Sequence, residues 1–262
     1  MGAFHLQEPS FIPKNVPIIH GFFGCRDGVS TQKWAGLNCS LASGDSDVCV
    51  EKNKDLVLQT LREHATGLHR LIVPVQSHST ICQIIDQSLL SSEKEFACDA
   101  FITSLSGIVL GVLTADCAPV LFYAKQEKDQ IYVVGAAHAG WQGALAGILE
   151  STVAGFDSLG IRAQGIHACI GPCIGRVSYE VGAEFPMPFL EQDPYNERFF
   201  MAATRTGHFM FDLAGYCAHR LALCGLSQIK IMGVDTVGGV DDFFSFRRGD
   251  AGRQVSAIGL IP

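Results

Sequence analysis

The sequence predicts a protein built on a mixed β-sheet with helices beside it, in the α/β or α+β class. Three observations carry that prediction. Stretches of helical and of strand periodicity alternate along the chain. Some neighbouring strands are separated by gaps too short for the crossover that parallel strands need, so part of the sheet is expected to be antiparallel. Of the 262 residues 48% are hydrophobic and 17% charged, enough apolar side chain for a large core and unlike a disordered chain.

The elements follow in order. Residues 47–64 alternate charged and apolar side chains at helical spacing, with Asp47 placed to cap the first turn, and predict an amphipathic helix. Residues 71–75 read as a short β-branched strand that runs into Gln76-Ser77-His78. Residues 107–114 form a second apolar strand, closed by Ala115-Asp116-Cys117. A third strand, 120–124, leads through the polar turn 125–130 into a fourth, 131–137, which ends at His138-Ala139-Gly140-Trp141. A helix is expected over 142–159 and a buried strand over 164–170. A second good helix spans 211–225, with Asp212 near its start and Gly225 as its stop. Residues 229–234 close the set as a strand. The longest polar gaps, 91–95 and 125–130, have ordinary loop lengths, and no repeat or linker divides the chain. It therefore reads as one domain over 1–262.

Composition also narrows the function. A net charge of -7 offers no cationic footprint for a phosphate backbone, so nucleic acid is not an expected partner. Residues 1–13 lack the basic, apolar and small-residue pattern of an export signal, and no run approaches the roughly 18 apolar residues of a membrane span. A cytoplasmic protein without a membrane partner is expected, and its ten cysteines should be thiols or metal ligands rather than disulfides. Cys82, Cys217 and Cys224 sit in apolar stretches and read as small buried hydrophobes. The 28 glycines fit a chain with many tight turns that wraps a small ligand. Oligomeric state has no signature in the sequence.

Three metal-ligating side chains, His78, Cys117 and His138, lie just beyond three different predicted strands. Strand ends are rigid platforms from which side chains can converge on one point. Two imidazoles and a thiolate suit zinc, and three protein ligands leave the fourth position open, as in a catalytic site. An ion held there would lower the pKa of water towards neutrality. The spacing holds neither CxxC nor HExxH, so it equally allows a surface His78, a buried Cys117 thiol and a hydrogen-bonded His138. Cys169 and Cys173 are further candidates for ligand or nucleophile, with tight packing in a Gly-Pro loop as the alternative; His167 on the same strand reads as a core histidine. Phe243-Phe244-Ser245-Phe246-Arg247-Arg248 combines rings that can stack on a base with forks that can grip phosphate. It can also be a strand with core phenylalanines and a solvated basic end. Arg26, in Arg26-Asp27-Gly28-Val29-Ser30, is likewise an anion ligand or a solvated loop cation.

Taken together, the segments resemble one family. Thr114-Ala115-Asp116-Cys117-Ala118-Pro119-Val120, Ala137-His138-Ala139-Gly140-Trp141 and Ile170-Gly171-Pro172-Cys173-Ile174-Gly175 are similar to segments of the YfiH type, also described as laccase-domain or polyphenol-oxidase-like proteins. So are Tyr179-Glu180-Val181-Gly182, Gln76-Ser77-His78, Phe244-Ser245-Phe246-Arg247-Arg248, Leu37-Asn38 and the run from Arg26 to Ser30. The matches keep the family's order from about residue 20 to the end. The resemblance implies an α/β sandwich, mixed sheet flanked by helices, and a zinc site at His78, Cys117 and His138. It also implies phosphorolysis of adenosine, guanosine, inosine and methylthioadenosine, and deamination of adenosine to inosine. Three positions depart from the pattern: Gln142 replaces an arginine, Asp235 stands where cysteine is common, and Asp27-Gly28-Val29 is one glycine short.

On this reading the partners are purine nucleosides and phosphate. Arg26 and Arg247 are the expected phosphate ligands, with Arg248 beside them, and Asp116 is the expected proton shuttle. Asn38 and Gln76 are expected to hold ribose or base edges, and Phe244 to stack on the base. Three other readings stay open: a metal-free Cys–His hydrolase or deamidase with Cys117 as nucleophile, a copper-dependent polyphenol oxidase, and a non-catalytic nucleoside-binding module. The copper reading rests on the laccase label, and none of the nine histidines forms the H-x-H pair common in multicopper sites.

Overall fold

The computed structural model describes residues 2–91, 95–238 and 242–262. The chain begins with β1 (His5–Leu6), β2 (Ile18–Phe23), α1 (Asp47–Arg62), β3 (Arg70–Ile72), β4 (Cys82–Ile84) and α2 (Gln87–Leu90). Next come β5 (Ala100–Thr103), β6 (Ile108–Thr114), β7 (Ala118–Lys125), β8 (Tyr132–Ala139), α3 (Trp141–Ala146) and α4 (Ile148–Ser158). The remainder holds β9 (Ile166–Ile170), β10 (Glu180–Val181), α5 (Met187–Gln192), β11 (Phe200–Ala202), β12 (Phe209–Phe211), α6 (Leu213–Leu223), β13 (Gln228–Ile231) and β14 (Gln254–Leu260).

Two large mixed sheets result, as the alternating periods predict. One runs β1-β2-β14-β6-β3, antiparallel except at the β3 edge. The other runs β13-β9-β7-β8-β5-β4, with parallel pairs at both edges and antiparallel pairs between them. A small antiparallel sheet, β10-β12-β11, lies beyond them. Side chains alternate across each strand, and both faces are covered. Leu110, Val112 and Ile258 of the first sheet meet Leu121, Tyr123 and Val134 of the second in a core between the sheets. Val109, Val255 and Ala257 face the other way, onto Val57 and Leu61 of α1. Val120, Phe122 and Ala124 face Phe156 of α4 and Leu221 of α6.

Several boundaries differ from expectation, each for a local reason. The helix expected over 142–159 is two, because Gly147 takes φ 109 at the junction of α3 and α4. Asp47 lies in the first turn of α1, and Ser46 holds the capping position. Asp212 does cap α6, accepting the Gly215 N–H at 2.8 Å. β8 extends to Ala139, so His138 sits inside the strand rather than after it. Residues 243–248 form turns and bends, not the strand considered as an alternative. Strands β2, β5 and β14 escape a periodicity reading because they are buried on both faces and show little alternation. The polar gap 91–95 falls mostly outside the described residues, while 125–130 makes the β7–β8 connection, closed by Gln126 N–H to the Ile131 carbonyl.

One buried group makes stability depend on acid. His20, on β2, is 6% exposed and accepts the Glu8 N–H at Nε2, which requires a neutral ring. Burial pushes its pKa from 6.5 down to about 4, against the pull of the Glu8 charge. The folded pKa lies below the unfolded one, so this stability is present above pH 6.5 and lost as pH falls towards 4. The loss is on the order of 3 kcal/mol. A His20→Gln variant, which keeps an acceptor for Glu8, should lose less stability between pH 7 and 4.5 than the parent by roughly that amount, measured by urea unfolding.

Candidate metal centre and its cavity

His78, Cys117 and His138 converge at one end of the sheet stack. The β7–β8 ladder pairs Pro119 with His138, which puts Cys117, just before β7, beside the C-terminal end of β8. His78 arrives from the loop after β3. One donor atom from each of the three lies within 4.8 Å of the others, and the two imidazole rings sit edge to face at 4.7 Å. His78 (φ 58) and Asp116 (φ 85) adopt the left-handed conformation that non-glycine residues avoid. Such strain persists where the surroundings dictate the backbone, and here it aims one donor and flanks another.

Those surroundings centre on Asp99, which is fully buried just before β5. Its carboxylate accepts the N–H groups of Ser77, His78 and Ser79 at 3.2, 3.0 and 2.6 Å, and the Ser79 hydroxyl at 2.7 Å. His138 Nδ1 donates to it at 2.8 Å, which leaves Nε2 as the donor atom for a ligand. Burial alone would push the Asp99 carboxyl up; the hydrogen bonds from His138 and Ser79 outweigh it and hold the group below the usual carboxylate range. At His138 burial pulls downward, but the neighbouring Cys117 sulfur and Asp99 raise the pKa to about 9. Burial, reinforced by His138, lowers the pKa of His78.

The residues fit a metal ion by chemistry and by space. Two imidazoles and one sulfur of suitable spacing have a second-layer carboxylate behind one imidazole. Gly140, in the turn after β8, leaves the room: a Cβ there would stand 2.5 Å from His78 Nδ1 and 3.1 Å from Cys117 Sγ.

The three donors line a cavity of about 620 Å³, a size suited to a small organic ligand. Gln76, Asp116 and Arg247 line it as well, whereas Arg26, Asn38, Phe244 and Arg248 do not. Arg26 pairs with Asp242 at 3.0 Å and lies over the Phe4 ring. Asn38 is fully buried, its amide donating to Ser43 and Asp45 and its carbonyl accepting from Ser40 and Arg253. The structure corrects the stacking assignment: Phe244 is core, 5% exposed, while Phe246 is 69% exposed and lines the cavity. Arg248 is spent on structure, donating to the carbonyls of Thr236, Val237 and Phe243 and to the Asp250 carboxylate.

Asp116 and Gln76 are cavity walls with their polar atoms already engaged. The Asp116 carboxylate accepts from the Thr236 hydroxyl, the Ser245 hydroxyl and the Arg247 N–H at 2.7, 3.0 and 2.7 Å. Gln76 exchanges two hydrogen bonds with the Leu113 backbone, at 2.8 and 2.7 Å. Arg247 donates to the Glu180 carbonyl and lies 5.3 Å from the Tyr179 ring centre. Cys169 and Cys173 lie outside the cavity lining, their thiols buried in the core, and His167 stacks on Tyr123. Asp235 ties down the turn after β9 by accepting from Gly175 N–H and Ser178. Sequence reasoning missed Asp99 and Arg253, and it placed Phe246 in the aromatic run but chose Phe244 for the stacking role. A carboxylate inside Phe96-Ala97-Cys98-Asp99-Ala100-Phe101 was the available signal for the first.

A family model described as multi-copper polyphenol oxidoreductase laccase matches residues 19–261. A Xylella fastidiosa protein named purine nucleoside phosphorylase is 34% identical over 236 residues, covering 84% of this chain and 83% of its own length. The crystal structure of a Neisseria meningitidis protein superposes with a TM-score of 0.84 at 27% identity, covering 100% of both chains. That of the Bacillus licheniformis hypothetical protein YfiH gives 0.81 at 27% identity, over 93% of this chain and 92% of its own.

Gly140→Ala should leave the fold intact, because the added carbon meets only side-chain ends, yet displace His78 and Cys117. We expect its affinity for zinc to fall at least about tenfold, and that of Asp99→Asn by roughly 10- to 100-fold. Competition against a chromogenic chelator measures both; parental affinity in either variant would remove the site as drawn.

Proposed function

We propose, from the premise that the chain belongs to the multi-copper polyphenol oxidoreductase laccase family in its YfiH form, that it is a zinc-dependent purine nucleoside phosphorylase. Its substrates on this reading are adenosine, guanosine, inosine and methylthioadenosine, and the same cavity deaminates adenosine. The observation that carries the proposal is the His78–Cys117–His138 group set in a 620 Å³ cavity that also holds arginines. The name shared by relatives such as the Xylella fastidiosa protein supports the phosphorylase class. It acts as one domain, in the cytoplasm, on small molecules. Among the described residues no helix is long and apolar enough to cross a membrane.

Zinc is favoured over copper by the donor set and its neighbours. A copper site built on two histidines and a cysteine commonly adds a distant methionine, and among the described residues no methionine lines this cavity. Among the described residues only one group of metal-ligating side chains of this kind is present, which argues against a multicopper assembly. A bound zinc ion would supply Lewis acidity and lower the pKa of water in the cavity.

The protein's own residues then divide the work. In phosphorolysis a hydrogen phosphate oxygen bonds to C1′ of the ribose as the bond from C1′ to the purine breaks. The bonding pair leaves with the purine, and the proton of the hydrogen phosphate ends on that base. Arg247 offers the charge that stabilises the incoming phosphate, and Asp116 holds the Arg247 backbone in place. Phe246 and Trp141 provide apolar surface for the purine. In deamination water adds at C6 and ammonia leaves. Asp99 acts through His138, fixing its tautomer.

A second reading has one observation in its favour: His138 contacts both Cys117 and Asp99, the order of nucleophile, base and orienting carboxylate. In a metal-free hydrolase Cys117 would alkylate readily; held by zinc it would be protected until chelation.

Purified, zinc-loaded protein given adenosine should yield adenine and ribose 1-phosphate only when phosphate is present, and inosine without it. Neither product, with a metal-depleted control equally silent, would overturn the purine reading. His78→Ala should lose zinc and most of both activities. Arg247→Ala should weaken phosphorolysis by roughly tenfold or more while affecting deamination less; equal losses would remove its phosphate role.

A further inference from the structure

The cavity gathers charge against the trend of the chain. The protein carries a net charge of -7, yet among the described residues the cavity lining includes Lys54, Arg247 and Arg253 and only one carboxylate, Asp116. That carboxylate already accepts three hydrogen bonds. Lys54 is engaged with Glu51 at 2.9 Å. The two arginines have no carboxylate within ion-pairing distance among the described residues, in contrast to Arg26, Arg162, Arg220 and Arg248.

We infer that Arg253 is the oxyanion fork of this cavity and, with Arg247, forms the subsite for the phosphate that attacks the nucleoside. The inference rests on the phosphorylase reading for the identity of the anion.

Arg253 is held unusually firmly for a cation. Its backbone N–H donates to the Asn38 side-chain carbonyl at 3.0 Å, and its own carbonyl accepts from Cys39 N–H at 3.0 Å. Asn38 is in turn fixed by Ser43, Asp45 and Asn53. Among the described residues the side chain is tethered through Nη1 alone, to the carbonyls of Gly252, Ala251 and Asp250 at 2.7, 3.3 and 3.4 Å. Its guanidinium lies 5.6 Å from the centre of the Phe246 ring. Nε and Nη2 therefore keep their N–H groups for a ligand, on the guanidinium edge that binds two oxygens of one oxyanion in parallel. A rigid fork costs little ordering on binding, so its contacts convert efficiently into affinity. This also gives buried Asn38 its role: it acts on the backbone of Arg253 and not on the nucleoside.

The test titrates inorganic phosphate into the zinc-loaded full chain by calorimetry and measures inosine phosphorolysis at varied phosphate. Arg253→Gln should bind phosphate roughly 10- to 100-fold more weakly and raise the KM for phosphate as much, with the KM for inosine nearly unchanged. Arg253→Lys should recover only part, since a point charge lacks the fork. Zinc content and thermal unfolding check that the variants are folded; if Arg253→Gln is not, Arg253→Lys decides, and parental phosphate affinity in it overturns the fork. Parental phosphate affinity in Arg253→Gln, or no phosphate binding by the parent, also overturns the inference. Phosphate binding that depends on Arg253 in a protein that cleaves no purine nucleoside would instead retain the oxyanion site and reject the phosphorylase reading.

Discussion

The candidate site depends first on one buried charge. Asp99 is fully enclosed, and a carboxylate so placed is tolerable only when its oxygens are satisfied. Five hydrogen bonds do this, four from residues 77–79 and one from His138. The same bonds bend the loop after β3 back onto the second sheet and force His78 into its left-handed conformation. One satisfied charge thus ties two sheets together and sets two imidazoles side by side.

A second buried carboxylate shapes the cavity lining. Asp116 lies where the chain leaves β6 of one sheet for β7 of the other, and it draws Thr236, Ser245 and the Arg247 backbone towards that crossing. Residues more than a hundred positions away in sequence become the rim of the cavity. Both carboxylates flank ligand-bearing turns, and both spend their oxygens on architecture. Among the described residues the cavity therefore keeps two arginines, Arg247 and Arg253, without a carboxylate partner beside the His78–Cys117–His138 group, a setting that favours anions.

The departures from the family pattern fit this division. Asp235, in place of a cysteine, accepts bonds from Gly175, Ser178 and Val237 and stiffens the turn that precedes β10. Gln142, in place of an arginine, lines the cavity as an exposed neutral side chain. Cationic contact then falls to the C-terminal side, where Arg247 and Arg253 flank Phe246 in the cavity lining.

Local chemistry made much of this legible in the sequence. The mixed sheets, α1, α6 and strands β6, β7 and β8 follow from apolar periodicity and from turns too short for crossovers. His78, Cys117 and His138 stand out because metal-ligating side chains at strand ends are conspicuous in type and place. The rest belongs to the tertiary structure. Strands β2, β5 and β14 are buried on both faces, so no alternation marks them. Asp99 looks out of place in an apolar run, and only the folded chain supplies the donors that make it a hub. Asn38 and Phe244 carry the right chemistry for a ligand, but packing turns both inward, while exposed Phe246 and half-buried Arg253 line the cavity. Residue type is written in the chain, whereas the direction in which a side chain points is decided by contacts between residues far apart along it.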